Sequence, residues 1–476
     1  MLLHLLLFNY FQQFPLYSIK ELKMKDKKNL KAMLVNIHPH KWLLTFVMVM
    51  VISFQVQAQT WSLEQCIDTA QVHNKSIQIS RNNMAIGEQK QKEARSNLIP
   101  KVNMVADYKY FIDLPYQLMP MSTFNPTAPE GQFREAQFGV PHNMSAAIQV
   151  ALPLYNSQIY GGIRTLKIGA EISELQYRKT EEQVYFYISN LYYNAQILDH
   201  QLAFIDSNIV NTTKLLENLQ LLHQQLMIKG TDVKKVELQL EQLKTQKEII
   251  ANNAEQVMNA LKFSMGKTIN EKIQIETLIQ FKSIREYSNQ PTVDLQIANT
   301  HSRLLSSELK TLKNSRLPSV SLYGSYGQTG FGYDKQPNDF LKFFPTSFAG
   351  VQLAYPLFNG TVTYRKINQK KMEIENSQLQ ISLVTDKNNM LIENANRRRT
   401  VTQKTIANTL SQINLAQTVY EQTSLQQKEG TANLTDVLLA DNTLREAQQS
   451  YLSAIVEYLK ADLELKQLTG NISIKN

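Results

Sequence analysis

AIQVALPLYN, from Ala147 to Asn156, and GVQLAYPLFN, from Gly350 to Asn359, are two copies of one pattern: an alternating strand that reaches a proline and then runs into a very long helical stretch. Self-similarity of this kind marks a duplicated structural unit and outranks local motifs as a guide to architecture. The surroundings of the two strings are repeated as well. Each is preceded by a helix ending in a Leu/Pro junction (Leu98 to Pro100, Leu317 to Pro318) and by a second alternating strand. Each half therefore reads helix, strand, strand, long helix, shorter helix. The expected boundaries are 59–270 for the first unit, 271–290 for a linker and 291–476 for the second unit.

The strands have period two. Val102, Met104, Ala106, Tyr108 and Tyr110 share one face, with Asn103, Asp107 and Lys109 on the other; Met144, Ala146, Ile148, Val150 and Leu152 repeat the pattern. In the second half Val320, Leu322, Gly324 and Tyr326 alternate with Ser319, Ser321, Tyr323 and Ser325, and Val351, Leu353, Tyr355 and Leu357 alternate with Gln352 and Ala354. Apolar-out, polar-in strands of about ten residues suit the wall of a membrane barrel, but four are too few, since the smallest single-chain barrels have about eight. Strand pattern alone fits a soluble sheet packed on helices equally well. The runs Phe111 to Phe138 and Phe331 to Phe344 read as loops between paired strands.

The helices narrow the choice. Val184, Ile188, Leu191, Ala195, Leu198, Leu202, Ile205, Ile209, Leu216 and Leu219 follow steps of four and three, with Thr212 and His223 as polar members, which is a heptad period. A helix from Tyr160 to Ile228 would be roughly 100 Å long and cannot fit inside a compact globule. The pattern restarts after Gly230 (Val236, Leu240, Leu243, Ile250, Ala254, Val257, Leu261) and again at Leu444, Ala447, Tyr451, Ala454, Tyr458, Ala461, Leu465 and Leu468. Helix pairs are expected to fold back at Gly230 and Gly430, with glycine supplying the left-handed residue, and both shorter arms end at a glycine, Gly266 and Gly470. The turns GTDV and GTANLTDV place a threonine and an aspartate ahead of a helix, where they would cap free amides. The helix from Val362 to Lys428 is more polar, and Asn388 and Arg398 at core spacing suggest one face open to water.

The chain carries a formal charge of +9, yet residues 1–58 hold 7 Lys and 2 acids, leaving 43 basic against 39 acidic residues, so nucleic acid is not an expected partner. In that leader, Lys25, Lys27, Lys28, Lys31 and Lys41 precede the apolar run Trp42 to Phe54 and the small-residue site Val56-Gln57-Ala58, the layout of a secretory signal peptide. Residues 1–23 are read as lying upstream of the true start. The run is too short for a spanning helix, which needs about 20 residues. An exported chain with one cysteine, Cys66, forms no intramolecular disulfide and depends on packing or assembly. No stretch of 18 apolar residues follows Ala58, so any membrane crossing falls to the strands.

No catalytic constellation is visible, and no metal or cofactor is expected. His200 and His223 lack metal-ligand spacing, and the Gly324 to Gly332 cluster lacks the lysine of a phosphate loop. Arg397, Arg398 and Arg399 read as a solvated helix face rather than a site for an acidic partner.

Over almost its whole exported length the chain resembles the TolC-like outer-membrane efflux family. The resemblance is carried by SLEQCIDTAQVHNKSIQIS from Ser62, the junctions SNLIPKV and NSRLPSV, the strand ends LPLYN and YPLFN, and EGTANLTDVLLADNTLREAQQSYLSAIVEYLKADLELKQLTG from Glu429. It implies a fold of α plus transmembrane β. In it, a homotrimer gives four strands per chain to one 12-stranded outer-membrane β-barrel set in outer-membrane lipid, continuous with a periplasmic α-helical coiled-coil barrel. It also implies a passive conduit in the outer membrane reaching into the periplasm, an exit duct for efflux or type I secretion that meets a periplasmic adaptor and an inner-membrane pump. Gly230, Thr231, Asp232, Gly430, Thr431 and Leu434 match the adaptor-facing tip, and Asp436 matches an aspartate at the pore constriction. The next constriction position, usually acidic, is Leu439, so one ring of three carboxylates is implied, which would favour cations. Strand count alone permits a dimer, trimer or tetramer. The competing reading is a periplasmic coiled-coil scaffold or adaptor without a pore.

Overall fold

The computed structural model describes residues 60–279, 286–333 and 342–472; the expected leader and the centre of the expected linker lie outside the described residues. The chain begins with β1 (Thr60–Trp61) and α1 (Leu63–His73), whose capping box joins Ser62 and Gln65. In α2 (Lys75–Ser96) the cap is Asn74: its Oδ1 accepts from the Ser76 and Ile77 amides, and its Nδ2 donates to the Ser264 carbonyl at 2.7 Å.

Four long strands follow in two pairs: β2 (Lys101–Tyr110) and β5 (His142–Tyr155), then β7 (Ser319–Gly332) and β8 (Lys342–Ala354). They form one antiparallel sheet in the order β2-β5-β7-β8, so β2 and β8 each keep one edge without a strand partner among the described residues. The register puts the expected apolar residues opposite one another. Val102 faces Val150, which faces Gly324 and then Ala349; Met104 faces Ile148, Tyr326 and Ser347. The opposite face begins polar, with Asn103, Gln149 and Ser325 in one row and Asp107, Ser145 and Thr329 in another, before it meets Phe348 and Phe344 on β8. Two expectations change. The segment 111–138 is not simply a loop, because β3 (Tyr116–Pro120) and β4 (Phe133–Gln137) pair in it as an antiparallel hairpin. Tyr355 and Leu357 fall beyond β8, which ends at Ala354. Part of the second expected loop, 334–341, lies outside the described residues.

Each sheet pair leads into a helix hairpin: α3 (Ser157–Gln224) with α4 (Gly230–Ser264), and α6 (Val362–Lys428) with α7 (Leu434–Leu468). At 68 residues, α3 is about 100 Å long. Near the sheet, α2, α3, α5 (Val293–Asn314) and α6 lie side by side; farther away, α4 and α7 take the places of α2 and α5. Members of the heptad pattern are buried as read: Ile188, Ala195, Ile205 and Leu219 on α3, Val236, Leu243 and Leu261 on α4, and Leu444, Ala454, Ala461 and Leu465 on α7. No described helix is long and apolar enough to cross a membrane.

The polar members of α6 do not simply face water. Asn388 donates to the Leu468 carbonyl at 3.2 Å, Arg398 pairs with Glu464 at 3.1 Å, and Arg399 pairs with Asp462 at 3.1 Å beneath the Tyr287 ring. They tie α6 to α7 because each meets an acceptor there. Arg397 pairs within its own helix, with Glu393.

The first helix pair is anchored where its end meets its beginning. β1 pairs in parallel with β6 (Gln274–Ile275), Tyr192 donates to the Trp61 carbonyl at 3.0 Å, and Cys66, Ile188, Leu261 and Met265 fill the space between. Burial, with Glu276 adding to it, pushes the Cys66 thiol up to about 12, so it stays protonated and acts as a small apolar side chain. Gly266 ends this arm at φ 73°, and a Cβ there would lie 2.3 Å from the His73 carbonyl oxygen. Gly266→Ala should therefore cost more than the roughly 1–2 kcal/mol of left-handed strain alone, because backbone must also move. A clear drop in thermal unfolding midpoint is expected.

Candidate functional site: the two hairpin turns

The turn between α6 and α7 follows the sequence reading at its glycine. Gly430 is left-handed at φ 75°, its amide donates to the Gln427 carbonyl at 3.2 Å, and the Thr431 amide and hydroxyl both donate to the Gln426 carbonyl, at 2.9 and 3.1 Å. These bonds satisfy carbonyls that a helix end leaves free. The cap of α7, however, is Asn433 rather than a threonine or aspartate placed before it. Asn433 Oδ1 accepts from the Asp436 amide, and Asp436 Oδ2 accepts from the Asn433 amide, each at 3.0 Å. Asp436 therefore sits inside the first helical turn as half of a capping box.

The turn between α3 and α4 is built differently. Gly230 is not its left-handed residue; that role falls to Leu226, at φ 58° and 90% exposed. Helix α3 consequently stops at Gln224, four residues before the expected end, with the Leu226 amide on the His223 carbonyl and the Met227 amide on the Leu222 carbonyl, both at 2.9 Å. Gly230, Thr231 and Asp232 are the first three residues of α4, and the helix has no side-chain cap. Asp232 favours the helix start electrostatically and accepts from Lys235 at 3.3 Å. His223 bonds the Ile228 carbonyl at 3.0 Å across this turn.

The two turns are packed into one tip. Leu434 is buried against Leu219, Val233 and Val236 of the first hairpin. Asp436 and Leu439, three residues apart, lie outside this cluster; Asp436 is exposed and Leu439 is 67% exposed. Two turns from the cap, Asp441 is only 5% exposed and accepts from Gln239 of α4 at 2.6 Å and from Arg445. Burial raises its carboxyl above the ordinary carboxylate range, against the opposing pull of Arg445 and Gln239. Sequence reasoning passed over this group, although an acid four residues before an arginine was a readable sign. Among the described residues no cluster of His, Cys, Asp or Glu is arranged to hold a metal ion.

Residues 290–471 match the family model described as outer membrane efflux protein. The outer membrane protein TolC of Salmonella enteritidis is 20% identical over 444 residues, 88% of this chain and 84% of that protein. The protein of the same name from Vibrio cholerae is 21% identical over 397 residues, 80% of this chain and 84% of its own length. The solved structure of the Campylobacter jejuni CmeC outer membrane channel shares the fold, with a TM-score of 0.71 at 15% identity over 86% of this chain and 85% of that chain.

Asp441→Ala would leave the largely buried Arg445 guanidinium without its carboxylate partner and should destabilise the hairpin contact by up to about 3 kcal/mol, read as an earlier unfolding transition. Leu226→Gly removes left-handed strain at a side chain that packs on nothing and should stabilise by about 1 kcal/mol, read as a later one.

Proposed function

We propose that this chain is a TolC-like outer-membrane efflux protein, as its match to the efflux family model and its likeness to TolC and to the CmeC channel support, and that three copies of it form the exit duct of a tripartite export system, a conduit in the outer membrane reaching into the periplasm. Each copy supplies β2, β5, β7 and β8 to a 12-stranded barrel, and its helices line a periplasmic tunnel continuous with the pore. One observation carries the reading: among the described residues the sheet is open at β2 and β8, strands of 10 and 13 residues, and its apolar rows are exposed. In lipid an unpaired edge costs several kcal/mol for each unsatisfied backbone group, and pairing β8 of one copy with β2 of the next removes that cost.

Efflux duty is supported by the family. Docking of a periplasmic adaptor and an inner-membrane pump is our extension of it. The adaptor would contact the tip through Gly230, Thr231, Asp232, Gly430, Thr431 and the neighbourhood of Leu434. Asp436 and Leu439 would face the axis, giving a ring of three carboxylates bounded by leucines that selects for cations. A pore-free scaffold is disfavoured by side chains such as Met104 and Tyr326, which are 76% and 70% exposed on a continuous face.

The purified protein should run as a trimer in detergent and conduct ions in planar bilayers. A monodisperse monomer that leaves membranes in high salt and does not conduct would remove the proposal. Asp436→Ala should lower cation preference; because it also removes half of a capping box worth about 1 kcal/mol, Asp436→Asn is the companion variant. Gly430→Trp should abolish drug resistance conferred by the assembled system, while normal resistance would argue against the tip assignment.

A further inference from the structure

A cavity of about 900 Å³ opens where the start of α5 meets the end of α7, walled on its two sides by α3 and α6. It is formed by helices of a single chain. Its size falls within the range of small-molecule sites, and its lining has the same mixture, apolar walls with a few convergent polar groups. Val293, Ile297 and Leu305 of α5 face Val384 and Leu391 of α6 across it.

The charges are unevenly matched. Lys179 is held by Asp294 at 2.6 Å, and Glu373 is held by Lys370. Glu182, on α3 and half-buried, makes no hydrogen bond or ion pair among the described residues. Burial, with Asp294 adding to it, pushes its carboxyl up to about 7 against the opposing Arg178 and Lys179. Lys387 also lines the cavity, but on its exposed rim, where water solvates the charge. The protein thus keeps a poorly solvated acid beside hydrocarbon walls, an arrangement that a ligand bringing both a positive charge and apolar surface would satisfy. A small hydrated metal ion would find Asp294 and Glu373 already paired with lysines, only Glu182 without an ion-pair partner, and no use for the walls.

We propose that this cavity binds an organic cation with an apolar body, its charged nitrogen against Glu182 and its hydrocarbon part against Val293, Ile297, Val384 and Leu391. Duct and site would then serve different ends, passage through the pore and retention in its wall.

Benzyltrimethylammonium is a suitable probe, with neopentylbenzene as its neutral isostere, titrated into the purified full chain in lipid nanodiscs by ligand-observed NMR. The cation should bind saturably and the isostere about tenfold or more weakly, the worth of one charge-assisted contact. Glu182→Gln should lose about tenfold in affinity by the same reasoning. Leu391→Trp, which fills the space without touching the charge, should lose binding too, and Lys387→Ala should not weaken it. Affinity should rise from about pH 6 to about pH 8 as the Glu182 carboxyl ionises, and stay flatter in Glu182→Gln. Asp294 and His301 from α5, Glu373 and Lys387 from α6, and Lys179 from α3 also face the cavity, so the variant isolates the Glu182 part. Equal binding of cation and isostere, or undiminished affinity in a Glu182→Gln protein whose unfolding midpoint matches the parent's, would overturn the site.

Discussion

Along the outer edges of β2 and β8 no strand pairs among the described residues, and the rest of the molecule is arranged around that deficit. An open four-stranded sheet in water would invite indiscriminate edge pairing. In lipid it would be untenable, since nothing there can replace the missing acceptors and donors. Closing the sheet with further copies, as proposed, would turn the same edges into specific contacts of an assembly. Antiparallel order from β2 through β8 leaves the two free edges running in opposite directions, so a copy-to-copy pair would continue the antiparallel pattern without a break.

The helices answer a related need by other means. Helix α3 is too long to bury itself against its own hairpin partner throughout, and it is covered in two stages, by α2 and α5 near the sheet and by α4 and α7 beyond. End-to-end replacement of one helix by another requires abrupt stops, which Gly266 and Gly470 provide at φ 73° and 68°. The joint at Gly266 is closed by the cluster around Cys66 and Met265, whereas the joint at the end of α7 adjoins the open cavity beside Glu182. The same construction rule, applied twice, has left one packed joint and one beside empty space.

Much of this was legible in the sequence because it rests on periodicity. Period two placed Val102, Met104, Ile148, Val150, Leu322 and Tyr326 on a common face before any register was known, and the heptads found the buried positions Ile188, Leu243, Ala461 and Leu465. What was not legible depends on partners far away in the chain. Arg398 is exposed as read, but the sequence does not announce that Leu468 stands opposite the half-buried Asn388 or Glu464 opposite Arg398. The β3–β4 hairpin was hidden by prolines and turn residues within a polar run. Leu226 was invisible for a different reason: left-handed backbone is read from glycine or asparagine, and a leucine in that conformation carries no local sign.

The two turns of the tip therefore differ in how they are held. At Gly430 the chain reverses without strain and α7 begins in a reciprocal capping box, so local bonds alone define the turn. At Leu226 the chain reverses with strain and α4 begins without a side-chain cap, so that turn depends on what packs behind it. Leu219, Val233 and Val236 provide that packing, and Leu434 and Leu438, which complete it, belong to the other hairpin. A displacement of the second hairpin would thus remove support from the first, whereas the capping box would travel intact with its own helix. Motion at this end should pass from the second hairpin to the first through the apolar cluster that Leu434 and Leu438 share with α3 and α4, with the Gln239 to Asp441 bond about two turns along as the next constraint to give way.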